Sequence, residues 1–189
     1  MSLTRLKSGK IVLVTGASRS GKSEFAEILA TKTDKSIVYI ATATVDPTDL
    51  EWQARIARHQ QRRPKNWQTL AISDMLPATI TQALSSECLL IDSLGTWVAN
   101  FLDLDREAWQ AISAQLLASL QTTQAEIILV AEETGWGVVP VYKSGRVFRD
   151  RLGHLSRQIG GIANTVYLVT GGHVLNLSLL GEPLSNYEL

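Results

Sequence analysis

The chain has 189 residues, 45% hydrophobic and 19% charged, which suits one substantial core and excludes a disordered or low-complexity protein. Its 18 basic and 18 acidic residues cancel, so no global field draws it to nucleic acid or to an anionic membrane. The single cysteine, Cys88, excludes an internal disulfide, and no Cys/His cluster marks a metal site.

Residues 1–10 are short and polar, unlike a signal peptide, and no apolar run is long enough to span a bilayer. The expectation is a cytoplasmic protein with one domain over residues 1–189, in which 1–10 form a flexible tail. The apolar run Ile11 to Val14 reads as a buried strand, and the stretch after Lys22 reads as a helix to about Thr33. Ser36 to Ile40 is a second strand. Asp46-Pro47-Thr48-Asp49 is a turn, and Asp49 can cap a helix from Glu51 to about Arg62, ended before Pro64. Trp67 to Ile72 is a short strand, and Leu76 to Leu84 a helix with Pro77 in its first turn. Cys88 to Asp92 is a buried strand ending in an acid, with Cys88 a small core residue. Helical stretches begin at Trp97 and run over Arg106 to Gln121 and Val147 to Ile162. Glu126 to Val130 and Thr165 to Val169 are strands, and His173 to Leu177 is one more. Strand and helix alternate, so the fold class is α/β: a mostly parallel sheet with helices on both faces. In such sheets ligands gather at the carboxyl ends of the strands.

That edge collects the residues with chemistry. Gly16, Ala17, Ser18, Arg19, Ser20, Gly21, Lys22 and Ser23 spell G-x-x-x-x-G-K-S between a strand and a helix, the full context of a phosphate-binding loop. Its backbone N–H groups cradle phosphate beside the positive end of a helix. Lys22 reaches the β- and γ-phosphates, and the Ser23 hydroxyl can ligate Mg²⁺. Asp92, after four apolar residues, is placed to hold the same ion, directly or through water. Glu132 and Glu133 end the next strand, where one could orient a hydroxyl or a water. Adjacent residues of a strand point opposite ways, so at most one faces the site.

Arg55, His59 and Arg62 fall at i, i+4 and i+7 on one helix face, with Arg58 and Arg63 nearby. Taken alone, such a stretch is a solvated basic face with an incidental histidine. Beside a phosphate-binding loop it gains a second reading. Four guanidinium groups attract polyphosphate and disfavour another positive charge, which keeps the imidazole neutral and nucleophilic. A kinase needs no histidine nucleophile, but nucleotidyl transfer can use one.

Several motifs in fixed order then resemble one family: GxxRSGKS, Tyr39 to Thr42 (YIAT), RIxxHxxxRPxxW from Arg55 to Trp67, Asp92 through Asn100, and ExGxGxVPxxxxxRxFRD from Glu133 to Asp150. The family is the bifunctional adenosylcobinamide kinase/adenosylcobinamide-phosphate guanylyltransferases, and the resemblance covers about Ile11 to Val169. It implies a P-loop NTPase fold of the RecA-like kind. It also implies two reactions of cobalamin assembly: phosphorylation of the aminopropanol hydroxyl by ATP or GTP, then GMP transfer from GTP onto that phosphate. By the same resemblance His59 carries GMP covalently, and Lys22 stabilises the phosphates. The nucleotide site adds Ala41, Thr42, Ala43, Gln60, Gln61, Arg62, Arg63 and Asp92 to the loop, with Ser23 and Asp92 on Mg²⁺. A homo-oligomer, a trimer by family likeness, is implied, with adenosylcobinamide bound near a subunit interface. Departures are a spacer before Arg55 about two residues longer, Trp52 for methionine and Ala71 for a glutamate. Ser156-Arg157 and Asn164-Thr165 replace an Asn-Gln and an Asp-Glu pair. Two other readings stay open: a monofunctional P-loop kinase in which His59 only contacts phosphate, and a non-enzymatic nucleotide-dependent switch.

Overall fold

A computed structural model describes residues 9–44 and 63–187. In chain order the elements are β1 (Ile11–Gly16), α1 (Lys22–Thr31), β2 (Ser36–Ala41), β3 (Gln68–Ala71), α2 (Leu76–Gln82), β4 (Glu87–Asp92), α3 (Leu94–Ala99), α4 (Arg106–Thr122), β5 (Glu126–Glu132), α5 (Lys143–Ile162), β6 (Thr165–Thr170), β7 (His173–Asn176) and α6 (Leu177–Leu180), with a last 3-10 turn at Leu184–Asn186. The strands form one sheet in the order β3-β2-β4-β5-β1-β6-β7. All pairings are parallel except β6 with β7, an antiparallel hairpin at one edge.

The central strands are apolar throughout because both their faces are covered. Ile11 and Leu13 of β1, Leu89 and Ile91 of β4, and Ile127 and Leu129 of β5 pack on one side with Leu116, Leu120, Leu152 and Ile159 from the helices. Their alternate neighbours Val12, Val14, Leu90, Ile128 and Val130 pack on the other side with Ala26 and Ala30 of α1. Cys88 is fully buried there, as expected, and burial followed by the nearby Glu126 pushes its thiol up to about 12.

Two helices start earlier than their sequence suggests. α3 begins at Leu94 rather than Trp97, because Ser93 caps it: its side chain accepts from Thr96 N while the Thr96 side chain answers the Ser93 backbone. α5 begins at Lys143 rather than Val147. Arg146 Nη1 donates to the carbonyls of Pro140 (3.0 Å) and Val141 (2.5 Å) and holds the entering chain. A Cβ at Gly145 would meet Pro140 Cβ at 2.8 Å, so this glycine serves close approach within the helix rather than a turn. At the chain's start, Gly9 N donates to Thr123 O at 2.7 Å and Lys10 pairs with Glu126 at 3.5 Å.

Candidate active site

β1 ends at Gly16, whose missing side chain is required: a Cβ there would lie 2.4 Å from Val169 O on β6. Beyond it Ser20 N donates to Ala17 O at 3.2 Å, and Arg19 (φ 60°) and Gly21 (φ 91°) adopt the left-handed conformation that turns the chain into α1. Gly21 offers no side chain to cap α1, so the first-turn N–H groups are left for a ligand. Lys22 is buried and folds back over the loop, its Nζ 3.3 Å from Ala17 O.

Asp92 meets this loop from two strands away, with β5 between β4 and β1. Ser23 Oγ donates to Asp92 Oδ1 at 3.3 Å, and the Tyr39 hydroxyl donates to Oδ2 at 2.9 Å. Tyr39 reaches the acid on a diagonal: it pairs with Leu90, while Ala41 pairs with Asp92. Burial, then the charge of Asp92, hold the phenol well above its ordinary range, so it stays a donor. The Arg63 guanidinium lies 3.3 Å from the Tyr39 ring centroid, a cation–π contact. The Arg63 Nε is buried without a hydrogen-bond partner among the described residues.

After β2 the Thr42 side chain turns inward. Its hydroxyl donates to Ser93 O at 2.6 Å and sits 2.5 Å from Thr96 Oγ1. Asn100 joins the same loops, donating to Thr42 O (2.7 Å) and Ser73 O (3.1 Å) and accepting from Thr44 Oγ1 (3.0 Å). The two glutamates at the end of β5 diverge. Glu132 accepts from Ser93 Oγ (2.6 Å) and Gly95 N (3.0 Å), whereas Glu133 Oε1 accepts from Thr15 Oγ1 (2.5 Å) beside the loop.

The predicted residues Gly16 to Ser23, Ala41 to Ala43, Arg63 and Asp92 thus share the carboxyl edge of the sheet. His59, Gln60, Gln61 and Arg62, with Arg55, Arg58 and the helix predicted from Glu51, lie outside the described residues. The sequence motifs include Tyr39 and Asn100 without giving them a role, and Thr15 was not singled out; a tyrosine two residues before the strand end, on the face of the acid's partner, was the available signal for the first. Among the described residues no three His, Cys, Asp or Glu side chains cluster to cage a metal. One hydroxyl touching one carboxylate fits Mg²⁺, which takes the rest of its shell from phosphate oxygens and water. A cleft of about 460 Å³ opens elsewhere, between Lys10, Lys32, Lys35 and Tyr167 at the amino edge of the sheet, away from these residues.

The family model for cobinamide kinase/cobinamide phosphate guanyltransferase matches residues 12–177. The chain belongs to this family. It is 39% identical to the bifunctional adenosylcobalamin biosynthesis protein CobP of Pseudomonas aeruginosa, over 91% of this chain and 98% of that relative. It is 36% identical to CobU of Escherichia coli K12, over 86% and 96%. Among solved structures it is similar to a Pyrococcus horikoshii OT3 protein (TM-score 0.56, 8% identity, 90% of this chain and 87% of that one). It is also similar to an ATPase of a type III secretion system (TM-score 0.54, 12% identity, 91% and 54%). These likenesses concern the fold alone, a mostly parallel sheet with helices on both faces, as the alternation of strand and helix implied.

Against the family pattern, Ala71 ends β3 opposite Ala41, at the site's edge. Asn164 and Thr165 lie at the other end of the sheet. Ile11 N donates to Asn164 Oδ1 at 2.7 Å, and Asn164 N donates to Ile11 O at 2.8 Å. Asn164 thereby anchors the start of β1 beside β6. Ser156 and Arg157 sit within α5.

Proposed function

We propose that this member of the cobinamide kinase/guanylyltransferase family runs both reactions at one P-loop site, the second through a guanylylated His59. The observation that carries the reading is the Arg63–Tyr39–Asp92–Ser23 contact chain. Arg63 stacks on the tyrosine that orients the acid beside the loop. His59 precedes Arg63 by four residues, and four residues span at most about 14 Å of extended chain. That spacing, within the RIxxHxxxRPxxW motif, supports His59 as the residue that carries GMP.

In the first reaction the γ-phosphoryl group of ATP or GTP passes to the hydroxyl of adenosylcobinamide. The loop N–H groups and Lys22 bind the phosphates, with Arg19, Arg62 and Arg63 as further phosphate contacts. Ser23 and Asp92 would hold Mg²⁺, which neutralises phosphate charge when bound. In the second, the His59 imidazole attacks the α-phosphorus of GTP, the bond to the bridging oxygen breaks, and pyrophosphate leaves. A phosphate oxygen of adenosylcobinamide phosphate then displaces the imidazole and takes up GMP. Gln60, Gln61 and the backbone of Ala41 to Ala43 complete the nucleotide contacts.

A cytoplasmic setting suits these nucleotide substrates. Among the described residues no helix is long and apolar enough to cross a membrane. Exposed Leu175 on the edge strand and Leu177, Leu179 and Leu180 just after it support a homo-oligomer, which we take to be a trimer. The test of the reaction is mass spectrometry after incubation with GTP and Mg²⁺. An acid-labile GMP adduct should form on the wild-type chain and vanish in His59→Ala. Intact cobinamide phosphorylation without any adduct would reduce the protein to a kinase.

A further inference from the structure

We propose that Glu133, and not its neighbour Glu132, is the base that accepts the substrate hydroxyl proton in the kinase reaction and is dispensable for guanylyl transfer. The inference rests on the two-reaction reading above. The reactions differ in what they ask of the protein. An alcohol must lose a proton as it attacks phosphorus, whereas an imidazole and a phosphate oxygen attack with a lone pair already free. One carboxylate is needed for the first step and none for the second.

Two carboxylates end β5, and their surroundings separate them. Glu132 has both oxygens occupied, one by Ser93 Oγ and one by Gly95 N, and so secures the start of α3. A Cβ on Gly95 would come within 2.1 Å of its Oε2, which shows how closely that carboxylate is enclosed. Glu133 has one oxygen anchored by Thr15 Oγ1, the residue before the first loop glycine. Its Oε2 makes no hydrogen bond among the described residues and Glu133 is only half-buried. Its backbone N donates to Gly16 O at 2.9 Å, so the residue moves with the phosphate loop. An anchored oxygen beside a free one is the arrangement a positioned base requires.

The chain just beyond Glu133 supplies the acceptor side. Trp136 (72% exposed), Val138 (92%), Val141 (87%) and Tyr142 (80%) present apolar surface to solvent within ten residues of the carboxylate. A corrinoid is a large ring that carries methyl groups among its amide arms, and such a surface suits it better than it suits a nucleotide. With the ring against this stretch, the aminopropanol arm would be delivered toward Glu133. The hydroxyl oxygen bonds to the γ-phosphorus, its proton passes to Glu133 Oε2, and the bond from phosphorus to the β–γ bridging oxygen breaks with the electron pair leaving on the nucleoside diphosphate.

The experiment compares the two half-reactions in Glu133→Gln. Phosphorylation of adenosylcobinamide should fall about 100- to 10,000-fold, the range of general-base catalysis. GMP transfer from GTP to separately prepared adenosylcobinamide phosphate should change less than about threefold on the same scale, and GTP should bind as to the wild type. Glu132→Gln should not reproduce this split. Retained kinase activity in Glu133→Gln, or equal loss of both half-reactions, overturns the proposal. Should Glu133→Gln fold poorly, Glu133→Asp keeps the charge but retracts it, and must still depress the kinase selectively. A wild-type chain lacking both activities would instead overturn the two-reaction reading.

Discussion

Replacing Tyr39 by phenylalanine isolates one hydrogen bond. The ring stays in its buried seat under Arg63, so the cation–π contact and core packing persist, and only the 2.9 Å bond to Asp92 Oδ2 is lost. A hydrogen bond to an ionised acceptor is worth about 1.5–3 kcal/mol. Asp92 is half-exposed and water can replace the lost donor, so we take about 1 kcal/mol, equivalent to about 2–4 °C in Tm for a chain of this size. The functional cost is larger than the structural one. Asp92 would retain only its contact with Ser23, and removing a partner that orients a metal-binding carboxylate weakens metal affinity about tenfold or more. The assay is nucleotide binding titrated with Mg²⁺, read beside the melting curve. Tyr39→Phe should shift the Mg²⁺ midpoint up about tenfold while binding at saturating Mg²⁺ recovers. Tyr39→Ala should in addition lose about 3 kcal/mol or more through the cavity it opens. An unchanged Mg²⁺ midpoint in Tyr39→Phe would refute the reasoning, as would full additivity with Asp92→Asn in a double-mutant cycle.

Alkaline stability should carry the signature of Cys88. Its folded thiol is raised from 9.0 to about 12, so the proton is held more tightly in the native state. Its contribution is complete below about pH 9 and is lost as the pH rises through the folded value. Cys88→Ala should flatten the fall in stability over that window, measured by denaturant melts at stepped pH. The raised Tyr39 phenol acts in the same direction above its ordinary value. Gly95→Ala should destabilise by about 1–3 kcal/mol, because the Glu132 carboxylate must leave its two donors. The same substitution in a Glu132→Ala background should cost clearly less.

The alternation of both faces of β1, β4 and β5 was plain in the sequence, because a strand covered on two sides needs an unbroken apolar run. The phosphate loop was equally plain, since its residues lie together along the chain, and Asp92 stood out as the acid that ends an apolar strand. Helix starts were harder to read. Ser93 caps α3 through a threonine rather than the usual glutamate, and the close approach of Pro140 to Gly145 in the first turn of α5 shows only in the structure. Least legible were contacts made across strands. Tyr39 reads as an ordinary strand aromatic, and only the β2–β4 register brings its hydroxyl to the acid. The choice between Glu132 and Glu133 likewise needed their partners, which lie 39 and 118 residues away.

Asn100 has a practical consequence for engineering. One amide fastens the loops leaving β2 and β3 to the end of α3, donating to two backbone carbonyls and accepting from a third residue. A graft that moved only the histidine-bearing segment into another P-loop scaffold would leave both its attachment points without that fastening. The smallest transplantable cassette therefore runs from Ala41 to Asn100, with β4 and its acid inside it, and a recipient should be chosen for the spacing of those two strands rather than for likeness of its phosphate loop.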